Sequence, residues 1–273
     1  GKGHPTVASI LNRLGNLCCE THDLDSAMKY YQEGLKTERA IWSSNHPHIL
    51  ITVTNIAHIH KHRGNFADAL RNFILVRKVQ MESLDDNHID LAESHTCIGL
   101  MQYRLNDFEN SFDSYQEALR LRRDHFGTDD HLDVASTLNS VGLVGFKLGL
   151  YDVAKCCITR SLNILKKVAG SDSREVAILW YNIATIYFET GESQDVAFKY
   201  YKETLRIERQ SLGDDHPDVV LTLLHMGQKH HKVGDFEEAL DRFSEALAIE
   251  RKRQQAGSIA VGNIVNRIGK VQL

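Results

Sequence analysis

The side chains of this chain best suited to chemistry are its histidines, its paired cysteines and its paired carboxylates. His58, His60 and His62 fall in one short stretch of helical periodicity, so that His58 and His62, at i and i+4, could share a metal ion. No Glu or Cys nearby in sequence completes a ligand set, and a chain with 15 histidines is expected to contain such a pair by chance. His230 and His231 are neighbours that face different directions on a helix. Cys18-Cys19 and Cys156-Cys157 also sit in helical segments, where adjacent side chains diverge by about 100° and do not meet disulfide geometry. With 5 cysteines in all, reduced thiols and a cytoplasmic setting are expected. The carboxylates Asp129-Asp130, Asp214-Asp215 and Glu237-Glu238 lie at turns and helix starts, where the helix dipole accounts for them. No phosphate loop, nucleophile elbow, Cys-x-x-Cys or zinc protease signature is present, and no strand precedes Gly1-Lys2-Gly3. The expectation is a non-enzyme with no metal and no cofactor.

Composition narrows the partners. A formal net charge of −4 supplies no basic field for nucleic acid. No run approaches the roughly eighteen consecutive apolar residues of a membrane span, so no membrane insertion is expected. Hydrophobic residues at 42% and charged residues at 25% suit a folded chain. Gly1 stands where a Met would open a chain, and Leu273 falls partway through a repeat, so the sequence reads as a piece of a longer protein.

The elements that would position these side chains come from an internal repeat. Blocks open at His4, His46, His88, His131, Ser173 and His216, and a seventh opens at Ser258, at intervals of 42 or 43 residues. The blocks are 4–45, 46–87, 88–130, 131–172, 173–215, 216–257 and a partial 258–273, one array over 1–273. Eleven residues into each stands a small residue: Gly15, Ala57, Gly99, Gly142, Ala184, Gly227 and Gly269. Such a column is expected where two helix backbones approach closely. Leu11 and Leu14, Val53 and Ile56, or Leu138 and Val141 complete an i, i+3, i+4 stripe, which gives a first helix. Eighteen residues in, His22, Gly64, Asn106, Gly149, Gly191 and Gly234 suit a left-handed turn. A second stripe follows, as in Leu24, Ala27, Tyr31 and Leu35. Each block is therefore predicted to be a helix hairpin, with the extra residue of the longer blocks placed near Thr128 and Ser193. Pro at the helix starts needs no amide partner there, and the histidines beside it read as structural punctuation rather than metal ligands.

The small–aromatic–small pattern resembles tetratricopeptide repeats. The run Leu212-Gly213-Asp214-Asp215-His216-Pro217 with Val219 resembles the joint between repeats in kinesin light chains, as do Asn55 to Ala57, Asn182 to Ala184, Tyr30 to Glu33 and Tyr200 to Glu203. The resemblance implies an all-α fold, a right-handed alpha-solenoid of tandem helix hairpins, and a protein-interaction scaffold or adaptor. The heptad segment by which a light chain joins its motor is absent from this sequence. The resemblance also implies that first helices line a ligand groove at fixed offsets. Those offsets carry Asn12, Asn16, His58, Lys61, His62, Tyr103, Arg104, Asn139, Phe146, Lys147 and Phe188, with Asn55 and Asn182 beside them. An extended peptide with acidic and apolar or aromatic residues is expected across blocks two to four, its carboxylates meeting Lys61, Arg104 and Lys147 and its backbone meeting Asn12, Asn55, Asn139 and Asn182. The competing expectation is a solvated charged face with aromatics packed on the adjacent hairpin. A clamp for a C-terminal carboxylate would use Asn12, Asn16 and Asn55, but Glu93 and Cys97 stand where its lysines should be. The rival function is a structural or self-associating spacer: Val261, Ile264, Val265 and Ile268 form an apolar stripe on the partial repeat and make self-association there plausible.

Overall fold

The computed structural model describes residues 4–253 and 259–272, so Gly1-Lys2-Gly3, the seventh block's opening at Ser258 and Leu273 lie outside the described residues. Thirteen helices and no strand occur among them: α1 (Pro5–Glu20), α2 (Leu24–Arg39), α3 (Pro47–His62), α4 (Phe66–Ser83), α5 (Asp90–Arg104), α6 (Phe108–Phe126), α7 (Leu132–Lys147), α8 (Tyr151–Ala169), α9 (Arg174–Thr190), α10 (Gln194–Leu212), α11 (Pro217–Lys232), α12 (Phe236–Arg253) and α13 (Ile259–Gln272). Residue contacts divide the chain into two compact units, Gly1–Thr128 and Asp129–Leu273. The first holds three hairpins, α1/α2, α3/α4 and α5/α6. The second holds α7/α8, α9/α10 and α11/α12, with α13 packed on α12.

Local sequence explains where each helix starts and stops. His4, His46, His131 and His216 are N-caps whose Nδ1 accepts the amide two residues on, at 3.1 to 3.3 Å, and His88 does the same for Asp90. Ser173 takes the role at α9, its Oγ accepting from the Val176 amide at 3.3 Å. These imidazoles satisfy amides that a helix start leaves orphaned. Each first helix ends at the expected position eighteen residues in, where His22, Gly64, Asn106, Gly149, Gly191 and Gly234 have φ of 61°, 76°, 62°, 76°, 70° and 83°. Gly191 directly follows α9 and two residues separate it from α10, against one between the left-handed residue and the second helix elsewhere, with Ser193 capping α10, so the extra residue of that block sits near Ser193.

The small column mainly seats a large side chain of the second helix, and at Gly142 it also meets backbone as expected, a Cβ there standing 3.2 Å from the Ala154 carbonyl oxygen. Tyr31, Phe73, Tyr115, Ile158, Tyr201 and Phe243 on the second helices are all at most 4% exposed. They lie against the small residues of the first helices. A Cβ built on Gly15 would stand 2.6 Å from the Tyr31 ring, and one on Gly227 would stand 2.6 Å from Phe243. The glycine is thus a seat for a large side chain, the knob that locks each hairpin. At Gly269 of α13 no atom of the described residues lies within 4 Å.

Adjacent hairpins are also pinned by a polar pair. Thr52 donates to Glu38 Oε1 at 3.0 Å between α2 and α3, and Ser94 donates to Gln80 Oε1 at 2.6 Å between α4 and α5. Glu208 and Thr222 occupy the same positions between α10 and α11, the hydroxyl lying near enough to oppose the rise of the carboxyl.

Candidate functional site

In the first unit a cavity of about 490 Å³ opens between α1, α2 and α3. Asn16, Asn55, His58 and His62 all line it, so four of the residues singled out from sequence come together, with Tyr31 at its floor and Glu20 beside them. The Tyr31 hydroxyl donates to Asn16 Oδ1 at 2.6 Å, which orients that carboxamide. His58 sets its ring edge on Phe73, 5.3 Å between centroids, and borders a second cavity of about 270 Å³ with Glu93 and Cys97. Burial, then the neighbouring Lys61 charge, hold the His58 imidazole below its ordinary value, so it stays neutral near pH 7. Burial, with the Glu93 charge adding to it, pushes the Cys97 thiol up to about 12, which leaves it inert as a nucleophile.

Lys61 is half-buried and Arg104 exposed, and among the described residues neither has an acidic partner. The Arg104 guanidinium lies 6.0 Å over the Phe66 ring, and Tyr103 packs edge-on against Phe108 at 5.5 Å. Asn12 has a different place. Its Nδ2 donates to Glu38 Oε1 at 2.8 Å and to Thr52 Oγ1 at 2.7 Å, so its donors serve the joint between hairpins. Glu38 is 1% exposed, and burial raises its carboxyl above the ordinary range against those two hydrogen bonds.

In the second unit Asn182 donates to Asn139 Oδ1 at 3.0 Å. Phe146 packs on Tyr151 of its own hairpin, 5.7 Å between centroids, and Lys147 is exposed with no acidic partner among the described residues. Phe188 is buried against Phe198 and carries Lys229 Nζ 4.6 Å and Lys232 Nζ 5.4 Å over its ring. Both lysines pair with Glu189, Lys232 at 3.1 Å. The hydrogen bond from Lys229, then that from Lys232, hold the Glu189 carboxyl below its ordinary value against some burial. The α11 lysines are therefore already neutralised, unlike Lys61 and Arg104.

Two sets of residues escaped the sequence reading. A cavity of about 590 Å³ at α13 joins Gln228 and His231, which stand at groove offsets, to the unforeseen Asn263, Asn266, Arg267 and Lys270; Asn263 and Asn266 stand at groove offsets of the partial repeat, which was the available signal. The polar pairs at the hairpin joints were hidden because their column mixes Glu38, Gln80, Leu165 and Glu208. Among the described residues no group of three or more His, Cys, Asp or Glu is placed to hold a metal ion, and no helix is long and apolar enough to cross a membrane. All five cysteines are free thiols.

The model of the tetratricopeptide repeat family matches residues 49–124 and 194–252. Protein KINESIN LIGHT CHAIN-RELATED 3 of Arabidopsis thaliana is 23% identical over 240 residues, 88% of this chain and 36% of that protein. The clustered mitochondria protein homolog of Candida albicans is 30% identical over 123 residues, 44% of this chain and 9% of that protein. This chain thus spans well under half the length of either relative. Among solved structures, BtubC (BKLC) from P. vanneervenii superposes with a TM-score of 0.69 at 18% identity, covering 86% of this chain and 94% of that one.

Proposed function

We propose, on the premise that this chain is a tetratricopeptide repeat protein of the kinesin light chain-like type, that it is a non-catalytic scaffold whose first unit binds an extended acidic peptide along α1, α3 and α5. One observation carries the reading. Lys61 on α3 and Arg104 on α5 have no acidic partner among the described residues, in the same unit as the cavity walled by Asn16, Asn55, His58 and His62, while Lys229 and Lys232 of α11 are spent on Glu189. A ligand carboxylate gives Lys61 and Arg104 what Glu189 gives Lys229 and Lys232, and the carboxamides of Asn16 and Asn55 offer donors and acceptors to a peptide backbone. Glu20 sets the polarity, favouring the ligand's acidic end away from α1. Tyr103 adds an apolar wall beside Arg104. In the second unit Lys147, Phe146, Asn139, Asn182 and Phe188 supply comparable chemistry, independent of the first unit's residues. The free thiols are in keeping with a cytoplasmic setting.

The test is a titration of a fluorescent peptide rich in Glu and aromatic residues against the wild type and a Lys61→Glu, Arg104→Glu variant. Loss of two charge contacts is expected to weaken binding by about tenfold and to flatten its salt dependence. Equal affinity for both proteins removes the proposal.

A second reading, self-association through the partial repeat, is favoured by Val265, which is 46% exposed on α13. Light scattering over a concentration series checks it, a constant monomer mass being the contrary result.

A further inference from the structure

The joint between α8 and α9 is built unlike those that carry a polar pair. Where Glu38 meets Thr52, Gln80 meets Ser94 and Glu208 meets Thr222, this joint has Leu165 and Leu179, 8% and 2% exposed. Beside these leucines a cavity of about 470 Å³ opens, larger than one side chain needs. Leu132 and Ile178 stand on its wall and are each 47% exposed, so four branched apolar side chains surround an unfilled space. Neither the rest of the hairpin nor any helix of this unit covers Leu132 and Ile178. Leaving such side chains half in water forgoes burial that a filling group would recover.

Two further features of the cavity indicate what fills it. Asn139 lines the wall, and its Oδ1 accepts from Asn182 Nδ2, which leaves one carboxamide with a donor and its partner with an acceptor, the complement of a single peptide bond. Glu175 stands at the rim in the first turn of α9, exposed, and among the described residues it has no cationic partner; the adjacent Arg174 is held by Asp218 at 2.9 Å.

We propose that this cavity is a side-chain specificity pocket for an extended peptide, taking one bulky aromatic or branched residue between Leu132, Leu165, Ile178 and Leu179, with the peptide backbone on the Asn139–Asn182 pair and an adjoining Lys or Arg of the ligand at Glu175. The pocket lies wholly within the second unit and prefers a cation beside the apolar residue. It goes beyond the acidic-peptide reading of the first unit and does not depend on Lys61 or Arg104.

The test uses the full chain, labelled with carbon-13 on its Ile and Leu methyls, titrated with acetyl-Trp-Lys-amide, acetyl-Trp-Glu-amide and acetyl-Gly-Lys-amide. Saturable shifts are expected at Leu132, Leu165, Ile178 and Leu179, with Trp-Lys binding about threefold tighter than Trp-Glu through the exposed Glu175 contact, and with no shift from Gly-Lys. The Leu165→Glu, Leu179→Thr variant rebuilds the pair that Glu38 and Thr52 already form in this chain at 3.0 Å, so it is expected to fold, as circular dichroism checks, while losing about tenfold or more in Trp-Lys affinity. Glu175→Gln, on the surface, erases the preference for Trp-Lys without loss of fold. Absent shifts at the four methyls, equal binding of Trp-Glu and Trp-Lys, or undiminished binding to the Leu165→Glu, Leu179→Thr protein each overturn the proposal. An unchanged result after reversal of Lys61 and Arg104 touches only the first-unit site.

Discussion

Replacing Glu208 by Gln turns one hairpin joint into a measurable electrostatic experiment. Glu208 is half-buried between α10 and α11, and burial, reinforced by the Asp218 charge, raises its carboxyl from an ordinary 4.5 to about 7, against the Thr222 hydrogen bond and the Arg174 charge. Tyr181 on α9 faces it and is itself pushed up, by burial first and by Glu208 among the lesser causes. Because the folded carboxyl holds its proton more tightly than the unfolded one, its contribution to stability is complete below about pH 4.5 and is lost as pH rises through about 7. Each tenfold change in proton affinity is worth about 1.4 kcal/mol, which caps the cost at roughly 3.5 kcal/mol; partial exposure reduces it to about 1–2 kcal/mol. Gln keeps a hydrogen-bonding oxygen for Thr222, as Gln80 does for Ser94 at 2.6 Å in the first unit, and carries no charge. Urea unfolding of both proteins from about pH 5 to about pH 8.5 is therefore expected to show near-equal stability at the acid end and an advantage of about 1–2 kcal/mol for Glu208→Gln at the alkaline end. A difference that is constant across that range, or one that favours the wild type as pH rises, refutes the reasoning.

Further expectations follow from the same geometry. Gly227→Ala places a Cβ 2.6 Å from the buried Phe243 ring and is expected to cost about 1–3 kcal/mol by urea midpoint; Gly269→Ala, with nothing within 4 Å and a helical backbone, is expected to stabilise α13 by up to about 1 kcal/mol, and equal effects at the two sites contradict the seat-and-knob account. Asn12→Ala removes the donors to Glu38 and Thr52 and is expected to cost about 1–3 kcal/mol while raising the Glu38 carboxyl further, so the deficit grows with pH in the same urea assay. Glu189→Gln frees Lys229 and Lys232. Since the Glu189 carboxyl is held low, its small stabilising effect is present at neutral pH and vanishes as the solution is acidified, and the variant is expected to bind an acidic fluorescent peptide more tightly at the second unit. Unaltered peptide affinity there argues that those lysines do not meet ligand.

How much of this was legible in the sequence depends on whether a residue's role is fixed by its own repeat. The hairpins were legible because Gly64, Gly149 and Gly234 mark left-handed turns at a constant offset and because Tyr31, Phe73 and Phe243 recur opposite small residues. The reason for the small column was only partly legible, since spacing reveals that Gly227 must be small but not that an aromatic ring occupies the space there, whereas at Gly142 backbone also comes close. The histidines at block starts were recognised as structural, but imidazole caps accepting backbone amides needed coordinates. Of the groove residues, Asn16, Asn55, His58 and His62 converge on one cavity, while Asn12 is committed to Glu38 in a contact between repeats that no single block contains. Tyr103 and Phe146 read as ligand contacts from their offsets alone, yet each also packs on Phe108 or Tyr151 at the start of its own second helix. The Leu165–Leu179 joint was invisible for the opposite reason: two leucines in a helical repeat look ordinary until the polar pairs at the other joints are seen.

The proposed function of the first unit requires that first-helix walls, not second-helix backs, receive the partner. The most direct measurement is photo-crosslinking of an acidic peptide carrying a benzoylphenylalanine, followed by mass mapping of the attachment sites. Adducts are expected on α1, α3 and α5, concentrated around Asn16, Asn55, His58 and His62 and diminished by Lys61→Glu, Arg104→Glu. Adducts confined to α2, α4 and α6, or unaffected by that charge reversal, contradict it.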